Sequence, residues 1–196
     1  MFKLFKKKTD RDSNLETLLA IPCDYDGYDF TADPSKTNPY LYEQITNIIS
    51  NNKLDINSIP SYRNLKVGGT EYEFDSFYDE WLDRLKDVEN SFICYLDTSV
   101  NIPDFTKNIN YVLKSKGLDY RIESSDANTI YHQELQKMNI DFDVNYGVLI
   151  ANVVAGLLRE FKLELIVLFD GFDNKDFTVI PLEHISELKE IERKMK

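Results

Sequence analysis

From Gly147 to Leu158 the chain runs 12 residues without a charged side chain, and Arg159 and Glu160 close the run. Crossing a bilayer takes about 20 apolar residues, so the segment is too short for that and reads as a helix inside a protein core. A helix with almost no polar face has to be covered on most sides, which requires layers of other elements around it. The expected helix extends over 146–161, and Gly147, Ala151 and Ala155 at steps of four would let a neighbour approach closely along one side.

The segments around it supply candidate layers. Ser91–Asp97 is a short apolar strand, Pro103–Lys116 is helical with Gly117 at its stop, and Tyr120-Arg121-Ile122 reads as a returning strand, together a βαβ unit. Leu163–Phe169 is a β-rich run, Asp170–Asn174 a turn, and Phe177–Ile180 an alternating strand that completes a C-terminal hairpin before Pro181 opens the last helix. Further helices are expected from Ser13 to Ala20, from Asn38-Pro39 through Leu41, Ile45, Ile48 and Ile49, and from Thr129 to Met138. The clearest amphipathic pattern is Phe74, Phe77, Tyr78, Trp81, Leu82, Leu85 and Val88. Between Leu54 and Gly69 the signals are mixed, and 22–38 is the longest candidate loop. The expected class is α/β, with α+β as the alternative: a mixed sheet of about four strands packed by several helices. Residues 1–12 read as a basic flexible tail and 13–196 as one domain, a length that can bury a core unaided.

Charge narrows the choice of partners. The chain carries −11 overall, and because residues 1–16 are net basic and 182–196 are balanced, the body between them carries −13. Such a field repels nucleic-acid phosphates, and no basic stripe interleaved with aromatics is read that could overcome it, so DNA and RNA are not expected partners. The face of the Phe74–Val88 helix opposite its aromatic stripe, with its flanks, holds Glu71, Glu73, Asp75, Asp79, Glu80, Asp83, Asp87 and Glu89 against only Arg84 and Lys86. That face is either solvated or meets a basic partner.

Two cysteines, Cys23 and Cys94, give no disulfide framework, and Phe2, Leu4 and Phe5 among the N-terminal lysines are too few for firm membrane attachment. No secretory apolar run follows those lysines, and a cytoplasmic protein is expected.

Few residues offer catalytic chemistry. Asp24, Asp26 and Asp29 around Gly27 could gather oxygen ligands for a hard cation, but with Gly27 at the sharp turn of a calcium loop the first ligand position falls on Pro22. Asp170 and Asp173 repeat the idea in the hairpin turn, where Asp and Gly also serve the turn itself. His132 and His184 lie beside no nucleophile, acidic neighbours disfavour the Cys23 thiolate, and Val67-Gly68-Gly69-Thr70 lacks the spacing of a phosphate loop. Tyr25 and Tyr28 beside Asp26 and Asp29 have the chemistry of a protein-binding loop, as do Asp79, Glu80 and Asp83 on the acidic helix.

The first expectation is therefore a non-enzymatic, cofactor-free module of inhibitor, immunity or regulatory type that engages a basic protein. A metal-dependent hydrolase built on the clustered aspartates, and a structural subunit of a larger assembly, stand as alternatives.

Overall fold

Alternation along two strands organises the molecule. In the computed structural model, which describes residues 25, 27–30, 39–66, 71–87, 91–97, 100–140, 147–170 and 174–195, β1 is Tyr28–Asp29, β2 Cys94–Asp97, β3 Leu163–Asp170 and β4 Asn174–Pro181. β3 and β4 pair antiparallel as the expected hairpin, with a register shift between Val167 and Phe169. β2 adds antiparallel to β4 and the two-residue β1 parallel to β3, giving the order β1-β3-β4-β2.

Side chains along the hairpin point alternately to two cores. Leu163, Leu165, Val167, Phe177 and Val179 enter one cluster, while Ile166, Leu168 and Ile180 enter the other. The first is covered by α4 (Ile102–Ser115), α5 (Ser124–Lys137) and α6 (Gly147–Glu160). The second is covered by α1 (Pro39–Ser50), α2 (Pro60–Lys66), α3 (Glu71–Leu85) and α7 (Ile185–Met195). Mixed helix and strand in layers is the class expected from the sequence. No described helix is long and apolar enough to cross a membrane.

Helices α4 and α5 stop where the chain turns left-handed. Gly117, at φ +69°, donates to Lys114 O while Leu118 N–H reaches Leu113 O, a Schellman closure of α4. Asn139 closes α5 in the same way through Ile140 N–H to Leu135 O. Asn101 caps the start of α4, its side chain accepting from Asp104 N–H at 2.8 Å.

Three expectations change. Tyr120–Ile122 is not a strand, so no βαβ unit closes there; among the described residues β2 pairs with β4, and that pairing is antiparallel. Asn110 lies against this segment, its carboxamide accepting from Ile122 N–H and donating to Ile122 O, both at 2.9 Å, and so occupies the groups that Ile122 would offer a neighbouring strand. Helix α5 begins at Ser124 and not Thr129; its polar first turn carries no apolar periodicity, with Ser125 and Asp126 exposed, Ser124 half-buried against Thr106 and Ala127 buried. Pro181 ends β4 opposite Leu163, and a 3-10 turn over Leu182–His184 precedes α7. Expected features in the 1–12 tail, the Ser13–Ala20 helix and most of the 22–38 loop lie outside the described residues.

Candidate functional site

The tyrosines of the acidic loop turn inward. Tyr25 donates to Leu165 O at 2.6 Å and sets its ring edge-on to Phe177, and Tyr28 donates to Glu192 of α7 with Lys189 over its ring. Asp24, Asp26 and Asp173 lie outside the described residues, as do the side chains of Asp29 and Asp170. Among the described residues no three His, Cys, Asp or Glu side chains gather in a metal-holding group. His132 is exposed beside the Tyr131 ring, and His184 lies 3.5 Å from Glu187.

On α3 the apolar side packs as its periodicity requires: Phe74, Phe77, Trp81 and Leu85 are buried, and Tyr42 of α1 meets the rings of Phe74, Phe77 and Trp81 edge-on. The opposite side leaves Asp79 and Asp83 exposed one turn apart, while Glu80 is half-buried and accepts from Ser61 Oγ at 2.5 Å. Lys86, one of the two cations near this face, turns to Asp176 of β4, with Nζ 2.9 Å from Oδ2. The other oxygen of Asp176 is buried with no hydrogen-bond partner among the described residues, and burial together with this carboxylate raises the pKa of the Tyr78 hydroxyl.

A second polar cluster is closed to solvent. Lys116, just after α4, is 1% exposed, and its Nζ donates to Thr178 Oγ1 and to Val179 O at 2.6 Å. Thr178 passes its own proton donor to Phe92 O at 2.8 Å. Burial holds the Lys116 amine well below the ordinary lysine range, and burial pushes the neighbouring Cys94 thiol up to about 12. A thiol so protonated and so enclosed is inert, and the cluster's chemistry is internal.

One open concavity has the opposite charge to the body. Lys107, Asn110, Tyr111 and Lys114 fall at i, i+3, i+4 and i+7 and form one face of α4. Because Asn110 fastens Ile122 to this face, the segment Leu118–Ile122 runs alongside, and Tyr120 and Arg121 stand across from the lysines. The groove between them has a volume of ≈ 650 Å³. Its basic and aromatic residues, Lys107, Tyr111, Lys114, Tyr120 and Arg121, all fall within 107–121, where no basic stripe interleaved with aromatics was expected from the sequence. A smaller groove of ≈ 430 Å³ lies between α5 and α6, where Gly156 leaves one side of α6 open, so the apolar helix is not enclosed all round.

No protein-family model, curated protein or solved structure matches the chain.

Proposed function

We propose that this protein is a non-enzymatic binding module that engages a basic partner protein through the acidic face of α3. The supporting observation is the pair Asp79 and Asp83, both exposed and one turn apart, neither in an ion pair among the described residues. Like charges at this spacing cost a helix roughly 0.2–0.5 kcal/mol, so the fold gains nothing from them, whereas a cationic surface would. Lys86 cannot offset them, because its ammonium is committed to Asp176. Half-buried Tyr78 and Leu82 adjoin the carboxylates and offer apolar area beside the charge.

The test is capture of interacting proteins by the wild type and by the double variant Asp79→Lys, Asp83→Lys at low and high salt. A partner held by the wild type, released by salt and not held by the variant supports the reading. Capture indifferent to both salt and charge reversal removes it.

A further inference from the structure

We propose that the groove between α4 and the segment Leu118–Ile122 binds a compact organic polyanion that carries a planar ring, the chemistry of a nucleoside di- or triphosphate. The observations are of charge, aromatic exposure and size.

Lys107 and Lys114 line the groove from α4 and Arg121 from the facing segment, against Asp119 as its one acidic lining residue. Neither lysine has an ion pair among the described residues; Arg121 is bound to Glu123 at 2.9 Å yet remains 74% exposed. Lys53 adds a further cation at the rim, since a β-carbon placed on Gly117 would meet its Cε at 3.6 Å. So many cations in one place, on a chain of net charge −11, is a local inversion of the field. The two lysines are seven residues apart, about 10 Å along the helix axis, a spacing that suits a ligand carrying more than one charged group.

Aromatic exposure points to a ring. Five large hydrophobic side chains stand exposed among the described residues, and three of them, Tyr111, Tyr120 and Phe161, belong to this region. Tyr120 rests on Phe161 with ring centroids 5.1 Å apart, and Lys107 Nζ lies 6.0 Å from the Tyr111 ring centre. Tyrosine faces beside cations are a stacking platform with charge anchors at hand. Size then favours a compact ligand over a nucleic-acid strand. The groove's ≈ 650 Å³ falls in the range of small-ligand sites, and a strand leaving it would cross an acidic body.

The test is equilibrium titration of the full chain with adenosine triphosphate, and in parallel with inorganic triphosphate, adenosine and a single-stranded oligonucleotide. The expected result is saturable, salt-sensitive binding of adenosine triphosphate, weakened about tenfold or more in Lys107→Gln with Lys114→Gln and roughly fivefold in Tyr111→Ala. Asp79→Lys, on the far acidic helix, leaves the affinity within about twofold. All the substituted side chains are exposed, and an unchanged unfolding midpoint shows that each variant is folded. Four results would each overturn the proposal: no binding of adenosine triphosphate at about millimolar concentration, binding unaffected by the lysine changes, inorganic triphosphate bound as tightly as the nucleotide, or an oligonucleotide bound far more tightly than either.

Discussion

The side chain of Lys116 reaches the main-chain oxygen of Val179 at 2.6 Å, in the part of β4 beyond its last pairing with β2, Cys94 opposite Phe177. Where the neighbouring strand has ended, an amine supplies hydrogen-bond donors to the uncovered edge. A neutral amine has the two donors these bonds need, and burial holds Lys116 well below the ordinary lysine pKa.

A pH dependence follows. In the unfolded chain the amine stays protonated up to about pH 10.4, while in the fold it loses its proton at lower pH. Between those values the unfolded state binds the extra proton, so this contribution to stability rises with pH, is complete above about 10.4 and is lost as pH falls through the folded pKa. The Cys94 thiol acts in the reverse sense, keeping its proton to about 12 in the fold, and so the comparison is made in a Cys94→Ala background. There, urea unfolding from neutral pH to pH 10 should show Lys116 gaining on Lys116→Met by up to about 1.4 kcal/mol per pH unit within the window. A difference that stays flat would mean that the buried amine titrates alike in both states.

Asn110→Ala should destabilise the fold by about 1–3 kcal/mol, because the N–H and carbonyl of Ile122 both lose their partner. Amide exchange at Ile122 is the direct readout, and it should accelerate in the variant while amides in β3 and β4 keep their protection relative to global stability. Unaltered exchange at Ile122 would show that the carboxamide does not hold the segment.

Much of this architecture is written in local pattern. The spacing of Phe74, Phe77, Trp81 and Leu85 is enough to bury one side of α3, and alternation through Leu165–Val167 and Phe177–Ile180 is enough to build the hairpin and aim its side chains at two cores. Gly117 marks the end of α4 because few other residues accept its φ. What local pattern does not carry is a partner from elsewhere in the chain. Tyr120-Arg121-Ile122 has the composition of a strand, yet the main-chain groups of Ile122 are taken by Asn110, 12 positions away. Lys116 has the composition of a surface residue, and only the unpaired end of β4 draws it inside. Of the groove's cations, Lys107, Lys114 and Arg121 lie within 107–121 with Tyr111 and Tyr120, but what brings them to one side is the helical spacing of α4 and the return of Ile122 onto Asn110, while Lys53 comes from elsewhere in the chain. Tyr25 and Tyr28 show the converse, for aromatics beside aspartates resemble a recognition loop, yet both hydroxyls are used within the fold.

Asp83→Lys should raise stability slightly, by about 0.2–0.5 kcal/mol and more at low salt, since it converts a like-charged pair one turn apart on α3 into an opposite pair. Chemical denaturation at two salt concentrations checks this. A clear loss of stability would place Asp83 in the support of the helix and weaken the case for that face as a partner surface.

Thr46→Val tests the joint between α1 and α3. Thr46 Oγ1 accepts from the indole N–H of Trp81 at 2.8 Å and donates to Tyr42 O at 2.6 Å, and both Thr46 and Trp81 are buried. Valine keeps the branched shape but takes away the acceptor, so the enclosed indole loses this bond at a cost of about 1–3 kcal/mol. Thr46→Ser keeps the hydroxyl and gives up one methyl group, which costs about 1 kcal/mol. Trp81 is the chain's single tryptophan, so its fluorescence follows unfolding and also reports the change at the site. The expected order of midpoints is wild type, then serine, then valine, with the valine emission shifted relative to the other two in the folded state. Were valine as stable as the wild type, packing of the ring against Tyr42 would account for the joint, and the hydrogen bond would contribute nothing net.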